Sequence, residues 1–107
     1  MSAQKSLVST AFQTFMNEAP KHALAWSALV QELASASALD KKTSSLAYLA
    51  VLAALRMESG IPFHVQTAKL SGASREEVIS AILVGLPAAG HIVTQVLPTA
   101  IAAFDAI

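Results

Sequence analysis

From Leu46 to Leu55 the chain reads LAYLAVLAAL, with no charged residue and no small polar one. Strands seldom run this long or this rich in alanine. Alanine favours helix and lets a second helix approach closely. A helix that is apolar all round belongs at the centre of a bundle. The surrounding segment, Thr43 to His64 (TSSLAYLAVLAALRMESGIPFH), breaks at Gly60 and restarts at Pro62. Proline suits a first helical position because its missing N–H would be unpaired there anyway. The restart sets His64 in the first turn of a new helix, beside the end of the apolar one.

The rest of the chain can be read around that helix. Val8, Ala11, Phe12, Phe15 and Met16 recur at helical spacing, as do His22, Trp26, Leu29, Val30 and Leu33. Pro20 ends the first helix or opens the second, and Ser35 to Leu39 is a weak connection. Asp40 can cap the central helix, with Lys41 and Lys42 solvated outside its packed part. The helix holding His64 runs to about Leu70, and Gly72 supplies a left-handed C-cap. Ser74 and Glu77 make a capping box, S-R-E-E. A fifth helix presents Val78, Ile79, Ile82, Leu83 and Leu86. A sixth starts near His91 with Val93, Val96, Leu97, Ala100, Ile101 and Phe104, and Pro98 should kink it. The expectation is all-α: a single domain over residues 1–107, about six helices and one continuous core.

The chain has 107 residues, 54% hydrophobic and only 13% charged. Soluble domains carry roughly 25% charge. Burial against other subunits is the expected sink for that surplus. A membrane span is the rival. Val78 to Phe104 carries no formal charge and is long enough to cross a bilayer. Gly85, Pro87, Gly90, His91, Thr94, Gln95 and Pro98 interrupt it, and no basic cluster flanks it. Two short helices with a turn at Pro87–Gly90 explain it better, so no membrane partner is expected. The N-terminal stretch is not a convincing secretory signal, and the expected location is cytoplasmic. Lys and Arg total 7, as do Asp and Glu. With no basic run longer than Lys41–Lys42, nucleic acid is not an expected partner. Zero cysteines exclude intrinsic disulfide chemistry and thiolate metal sites.

The span LDKKTSSLAYLAVLAALRMESGIPFHVQTAKLSGASREEVISAILVGLPAAG resembles the carboxymuconolactone decarboxylase and alkylhydroperoxidase-D-like family. Three features carry the resemblance. They are the L-D-x-K-T entry to the central helix, the histidine eight residues before the glycine of S-G-A-S-R-E-E, and the following V-I-x-A-I. It implies an all-helical fold, homo-oligomers such as trimers or hexamers, and no cofactor. In the thiol peroxidase branch a C-x-x-C pair precedes the histidine, and a relay glutamate lies further upstream. Those positions are Met57, Gly60 and Ser45 here. Methionine and glycine can neither attack peroxide nor resolve the product, so only His64 remains of that relay. The decarboxylase branch does not depend on the cysteine pair. It implies proton transfer on a cyclic lactone acid. An enzyme for such an anion would want a basic clamp, and Arg56 and Lys69 are the nearby cations.

His64 can be a general acid or base, since imidazole titrates near neutrality and a helix N-terminus disfavours its charged form. The plainer reading is a part-buried histidine tying the bend together. Glu58 can orient His64 or carry its proton, or be a solvated residue at a helix end. Ser45 can hydrogen-bond into the same cavity or be a small polar residue early in a helix. Tyr48, Met57 and Phe63 are the expected pocket wall, with core packing as the plain alternative. His91 can join His64 and Glu58 as metal ligands by type. The spacing matches no metal motif, so no metal is expected. The leading expectation is a small homo-oligomeric, cofactor-free enzyme using His64, helped by Glu58, on a small organic acid or lactone. The alternative is a non-catalytic oligomer that binds a small ligand or serves a structural role.

Overall fold

The computed structural model describes residues 7–106. It is helical throughout, with no strand among the described residues. The chain divides into two compact units between Asp40 and Lys41.

The first unit is a pair of helices, α1 (Thr10–Glu18) and α2 (Pro20–Ala36). The Ser9 hydroxyl caps α1 by accepting the Phe12 N–H at 3.1 Å. Pro20 opens α2 rather than ending α1. Phe12 and Phe15 pack edge-on against Trp26, with ring centroids 5.1 and 6.5 Å away. Only Ala23 is buried on α2, whereas Leu24, Leu29, Val30 and Leu33 are exposed.

The second unit holds α3 (Lys41–Ala54), α4 (Ile61–Leu70), α5 (Arg75–Leu83), the single turn α6 (Leu86–Ala89) and α7 (Leu97–Asp105). Short 3-10 segments, Glu58–Gly60 and Gly90–Val96, lead into α4 and α7. Polar ties fix the helix directions. Lys42 at the start of α3 pairs with Glu77 at the start of α5 at 2.9 Å. Arg75 at the start of α5 grips Asp105 at the end of α7 through two hydrogen bonds. At the end of α4, the Lys69 ammonium donates to the Phe104 carbonyl at 2.8 Å and lies 4.3 Å from the Phe104 ring centroid. So α3 and α5 run one way, and α4 and α7 the other.

Leu49, Leu52, Ile61, Val65, Val78, Ile82, Val93 and Val96 fill the space between them. The buried core is drawn from residues 49–100, with Leu46, Ala103 and Phe104 packed against it. The expected continuous core is therefore confined to the second unit. The capping box is present as expected: the Ser74 hydroxyl accepts the Glu77 N–H at 3.0 Å, and the Glu77 carboxylate accepts the Ser74 N–H at 2.9 Å.

Three expectations change. α3 is not buried on every side: Leu49, Leu52 and Ala53 face inward, while Tyr48, Val51 and Leu55 are exposed. Its inner face alone meets α4, α5 and the Gly90–Val96 segment. Pro98 does not kink a helix begun at His91. Residues 90–96 form a 3-10 segment, and Pro98 sits in the first turn of α7, where its missing N–H costs nothing. The turn expected at Pro87–Gly90 is smaller, because Pro87 lies within α6 and Gly90 alone takes the left-handed region, φ 78°.

Arg75–Asp105 is long and apolar enough to cross a membrane by length and composition. It does not form one rod: it breaks around Gly85 and at Gly90, and its first and last helices pack on each other.

Candidate functional site

The site begins at the end of α3. The Met57 N–H donates to the Leu52 carbonyl at 2.9 Å, and the Arg56 N–H to the Ala53 carbonyl at 3.1 Å. This double closure is a Schellman motif, which requires a left-handed residue, usually glycine. Here that residue is Arg56, φ 56°, the one non-glycine with positive φ among the described residues. The helix therefore stops at Arg56 and not at Gly60, which adopts φ −86° within the 3-10 turn. α4 closes with the same pair of bonds, Ala73 N–H to Ala68 and Gly72 N–H to Lys69, both at 3.0 Å. There the left-handed residue is Gly72, as expected.

The 3-10 turn leads directly into α4, whose second residue is Pro62 and fourth is His64. A methyl group at Gly60 would lie 3.6 Å from the Leu52 methyls and 4.0 Å from His64 Cδ2. Gly60 thus brings the turn against both α3 and the imidazole. Tyr48 lies across from His64, ring centroids 4.5 Å apart and tilted by 47°. Phe63 meets the same imidazole edge-on at 5.1 Å.

His64 is half-buried. Burial holds its pKa below the ordinary imidazole value, because the charged form gives up more hydration than the neutral one. Among the described residues no hydrogen bond or ion pair reaches its ring nitrogens, and no buried polar side-chain atom lacks a partner. Both nitrogens therefore keep contact with solvent. The imidazole is neutral at pH 7, apolar on its faces, and open to exchange a proton with an incoming group.

The other expected site residues are less closely joined to it. Glu58 is exposed and accepts a 3.0 Å hydrogen bond from the Thr99 hydroxyl on α7. No hydrogen bond or ion pair joins Glu58 to His64 among the described residues. Met57 is exposed, and so are the outer parts of Tyr48 and Phe63. Ser45 is half-buried on α3, about one turn before Tyr48, and His91 is exposed on the Gly90–Val96 segment. No cluster of three or more histidine, aspartate or glutamate side chains that could hold a metal occurs among the described residues. A shallow groove lined by Lys41, Thr67, Leu70 and Ser71 includes neither His64 nor Glu58.

Two features escaped the sequence reading. Thr99 as the partner of Glu58 has no local signal, since 41 residues separate them. The left-handed Arg56 has none either: glycine is the usual residue at such a closure, and the glycine four positions later drew the boundary.

Comparison with curated proteins and with solved structures returned no match. The sequence model of the Carboxymuconolactone decarboxylase family matches residues 20–105, from the start of α2 to the end of α7, including the Arg56–His64 turn. With most of its length matched, this chain belongs to the carboxymuconolactone decarboxylase family.

Proposed function

We propose that this protein is a homo-oligomeric, cofactor-free enzyme in which His64 transfers a proton on a small organic acid or lactone. One observation carries the reading: a neutral, half-buried imidazole with no intramolecular partner, held between Tyr48 and Phe63. A histidine kept for structure usually spends a nitrogen on a backbone or carboxylate partner. Here both nitrogens remain available, and desolvation favours the form that accepts a proton. The sequence contains no cysteine, so a thiolate route to peroxide reduction has no nucleophile in this chain.

The oligomer supplies what the single chain lacks. Tyr48 and Phe63 flank His64 with exposed apolar surface, and Val51, Leu55 and Met57 at the end of α3 are exposed as well. A patch of that kind beside a charge-poor helix suits burial against another copy, which would also enclose the site. Trimers and hexamers are the expected assemblies.

The competing reading is a non-catalytic oligomer that binds a small ligand or serves a structural role. It is favoured by Glu58, which accepts its hydrogen bond from Thr99 and not from His64. Wild type and His64→Gln, assayed across lactones, β-keto acids and peroxides, separate the two. Turnover of a lactone or β-keto acid that falls at least a hundredfold in the variant supports the enzyme. Equal activity in both proteins ends the His64 hypothesis. Native mass spectrometry tests the assembly, and a pure monomer at micromolar concentration would sink it.

A further inference from the structure

The outer face of α3 carries an apolar stripe. Tyr48, Val51 and Leu55 stand at i, i+3 and i+7, which puts them on one side of the helix, and all three are exposed. No charged residue lies between Ser44 and Leu55. Tyr48 carries the stripe across to α4, where its ring lies 4.5 Å from the His64 imidazole. Phe63, also exposed, meets the same imidazole edge-on at 5.1 Å. The apolar surface is therefore continuous over both helices. His64 is the one group in it whose charge changes between about pH 5 and 8.

α4 packs against α3, α5, α7 and the Glu58–Gly60 turn. Most charged groups on these elements are committed elsewhere. Lys42 pairs with Glu77, Arg75 pairs with Asp105, Lys69 donates to the Phe104 carbonyl, and Glu58 accepts from Thr99. Among the described residues, neither these nor Lys41, Arg56 and Glu76 form a hydrogen bond or ion pair with His64. Burial alone lowers the His64 pKa, with no contribution from a neighbouring charge.

A surface that pairs with itself about a two-fold axis presents the same residues from both copies. A second copy seated on this patch brings Tyr48, Val51, Leu55 and Phe63, and none of these is a carboxylate. Two neutral imidazoles fit such a contact. Two charged ones would lose their water without a counter-charge and would repel each other.

We infer that His64 is an acid-release switch for assembly: a second copy of this chain pairs with the Tyr48–Val51–Leu55–Phe63 surface while both imidazoles are neutral, and their protonation drives the copies apart. This rests on the assembly reading above and names its regulation. The sign follows from proton counting. The paired state binds fewer protons than the separated copies, so pairing strengthens as pH rises and weakens as pH falls through the His64 midpoint. With one imidazole per copy, Kd rises by up to about two decades per pH unit below that midpoint.

Sedimentation equilibrium of wild type between about pH 7.5 and 5 should show Kd rising roughly tenfold or more. Glu77 and Asp105 are held below the ordinary carboxylate range, so their ion pairs persist across that interval, and far-UV circular dichroism at each pH checks that the chain stays folded. His64→Gln should abolish the dependence. The double variant His22→Gln/His91→Gln should keep it, because His64 is then the only imidazole left, and this second variant carries the test if His64→Gln fails to assemble. An oligomer whose Kd is flat with pH overturns the switch and leaves the assembly reading standing. Tighter pairing in acid also overturns it, since that would require a carboxylate facing the imidazole. A wild-type monomer at every pH sinks the switch and the assembly reading together. Turnover that survives in His64→Gln removes the proton-transfer reading alone.

Discussion

Replacing Arg56 by glycine and, separately, by alanine isolates the cost of its backbone. Both variants remove the guanidinium and any attraction between it and the C-terminal end of α3, so those contributions cancel in the comparison. What differs is the left-handed φ of 56°. That conformation costs a residue with a Cβ about 1.5 kcal/mol. Glycine returns about 0.7 kcal/mol of this through its greater freedom in the unfolded chain. The remainder, about 0.8 kcal/mol, favours Arg56→Gly over Arg56→Ala. For a unit of this size that is roughly 3–6 °C in Tm. Gly72→Ala supplies the opposite control at the end of α4. Nothing lies within 4 Å of a methyl group built there, so its loss of stability reads φ 98° alone. Thermal melts and urea titrations of the variants measure all three. Arg56→Ala as stable as Arg56→Gly, with Gly72→Ala clearly weakened, would refute the claim that Arg56 is strained.

His64 should titrate below the ordinary imidazole value, because burial opposes its charge. A folded pKa lowered for a base means that its contribution to stability is complete above the unfolded value and lost as pH falls through the folded one. NMR titration of the imidazole protons checks the midpoint, and a value at or above that of an unfolded histidine contradicts it. If His64 is a general base, kcat/KM should rise with pH through that same lowered midpoint and then level off. Glu77 and Asp105 are held below the ordinary carboxylate range by Lys42 and Arg75 respectively. Stability should fall as acid protonates them, and Glu77→Gln with Asp105→Asn should flatten that decline in urea midpoints measured between neutral and acid pH. Ile82 is fully enclosed, so Ile82→Ala should cost about 2–5 kcal/mol, read as a lowered urea midpoint. A loss under about 1 kcal/mol would mean that the core around Ile82 is loosely filled.

Local physics made much of this fold legible. The Ser74–Glu77 capping box and the left-handed Gly72 each depend on residues within a few positions, and each is where the sequence set it, whereas Pro20 could end α1 or open α2 and does the second. The helix periods were legible for the same reason. Misplaced features depended on choices between neighbouring breakers. Gly60 looked like the stop of α3, yet the helix closed earlier on an arginine that local propensity disfavours. Pro98 looked like a kink because the preceding segment was read as α-helix, and the 3-10 stretch before it removed the conflict. Long-range facts were not legible at all. No local pattern links Glu58 to Thr99 or Lys69 to Phe104, since each pair is brought together only when α7 packs beside α4.

The same distinction bears on the site. His64 was singled out by its place after a helix break, and the fold gives it a half-buried imidazole whose pKa burial lowers. Glu58 was chosen for closeness in sequence, but a carboxylate six residues away along a turning chain has many directions to point, and Thr99 captures one of its oxygens. A base without a neighbouring carboxylate must take its orientation from elsewhere. Tyr48 and Phe63 can supply that through their tilted and edge-on ring contacts, which restrict its rotation without fixing a proton on one nitrogen. Such an arrangement suits a group that both removes and returns a proton, since a carboxylate bound to one nitrogen would hold a single tautomer. Removing the confinement should therefore hurt differently from removing the base. Tyr48→Ala should keep some turnover with a changed pH midpoint, while His64→Gln should lose the pH-dependent limb altogether. Identical profiles for the two variants would show that the imidazole does not act as the base.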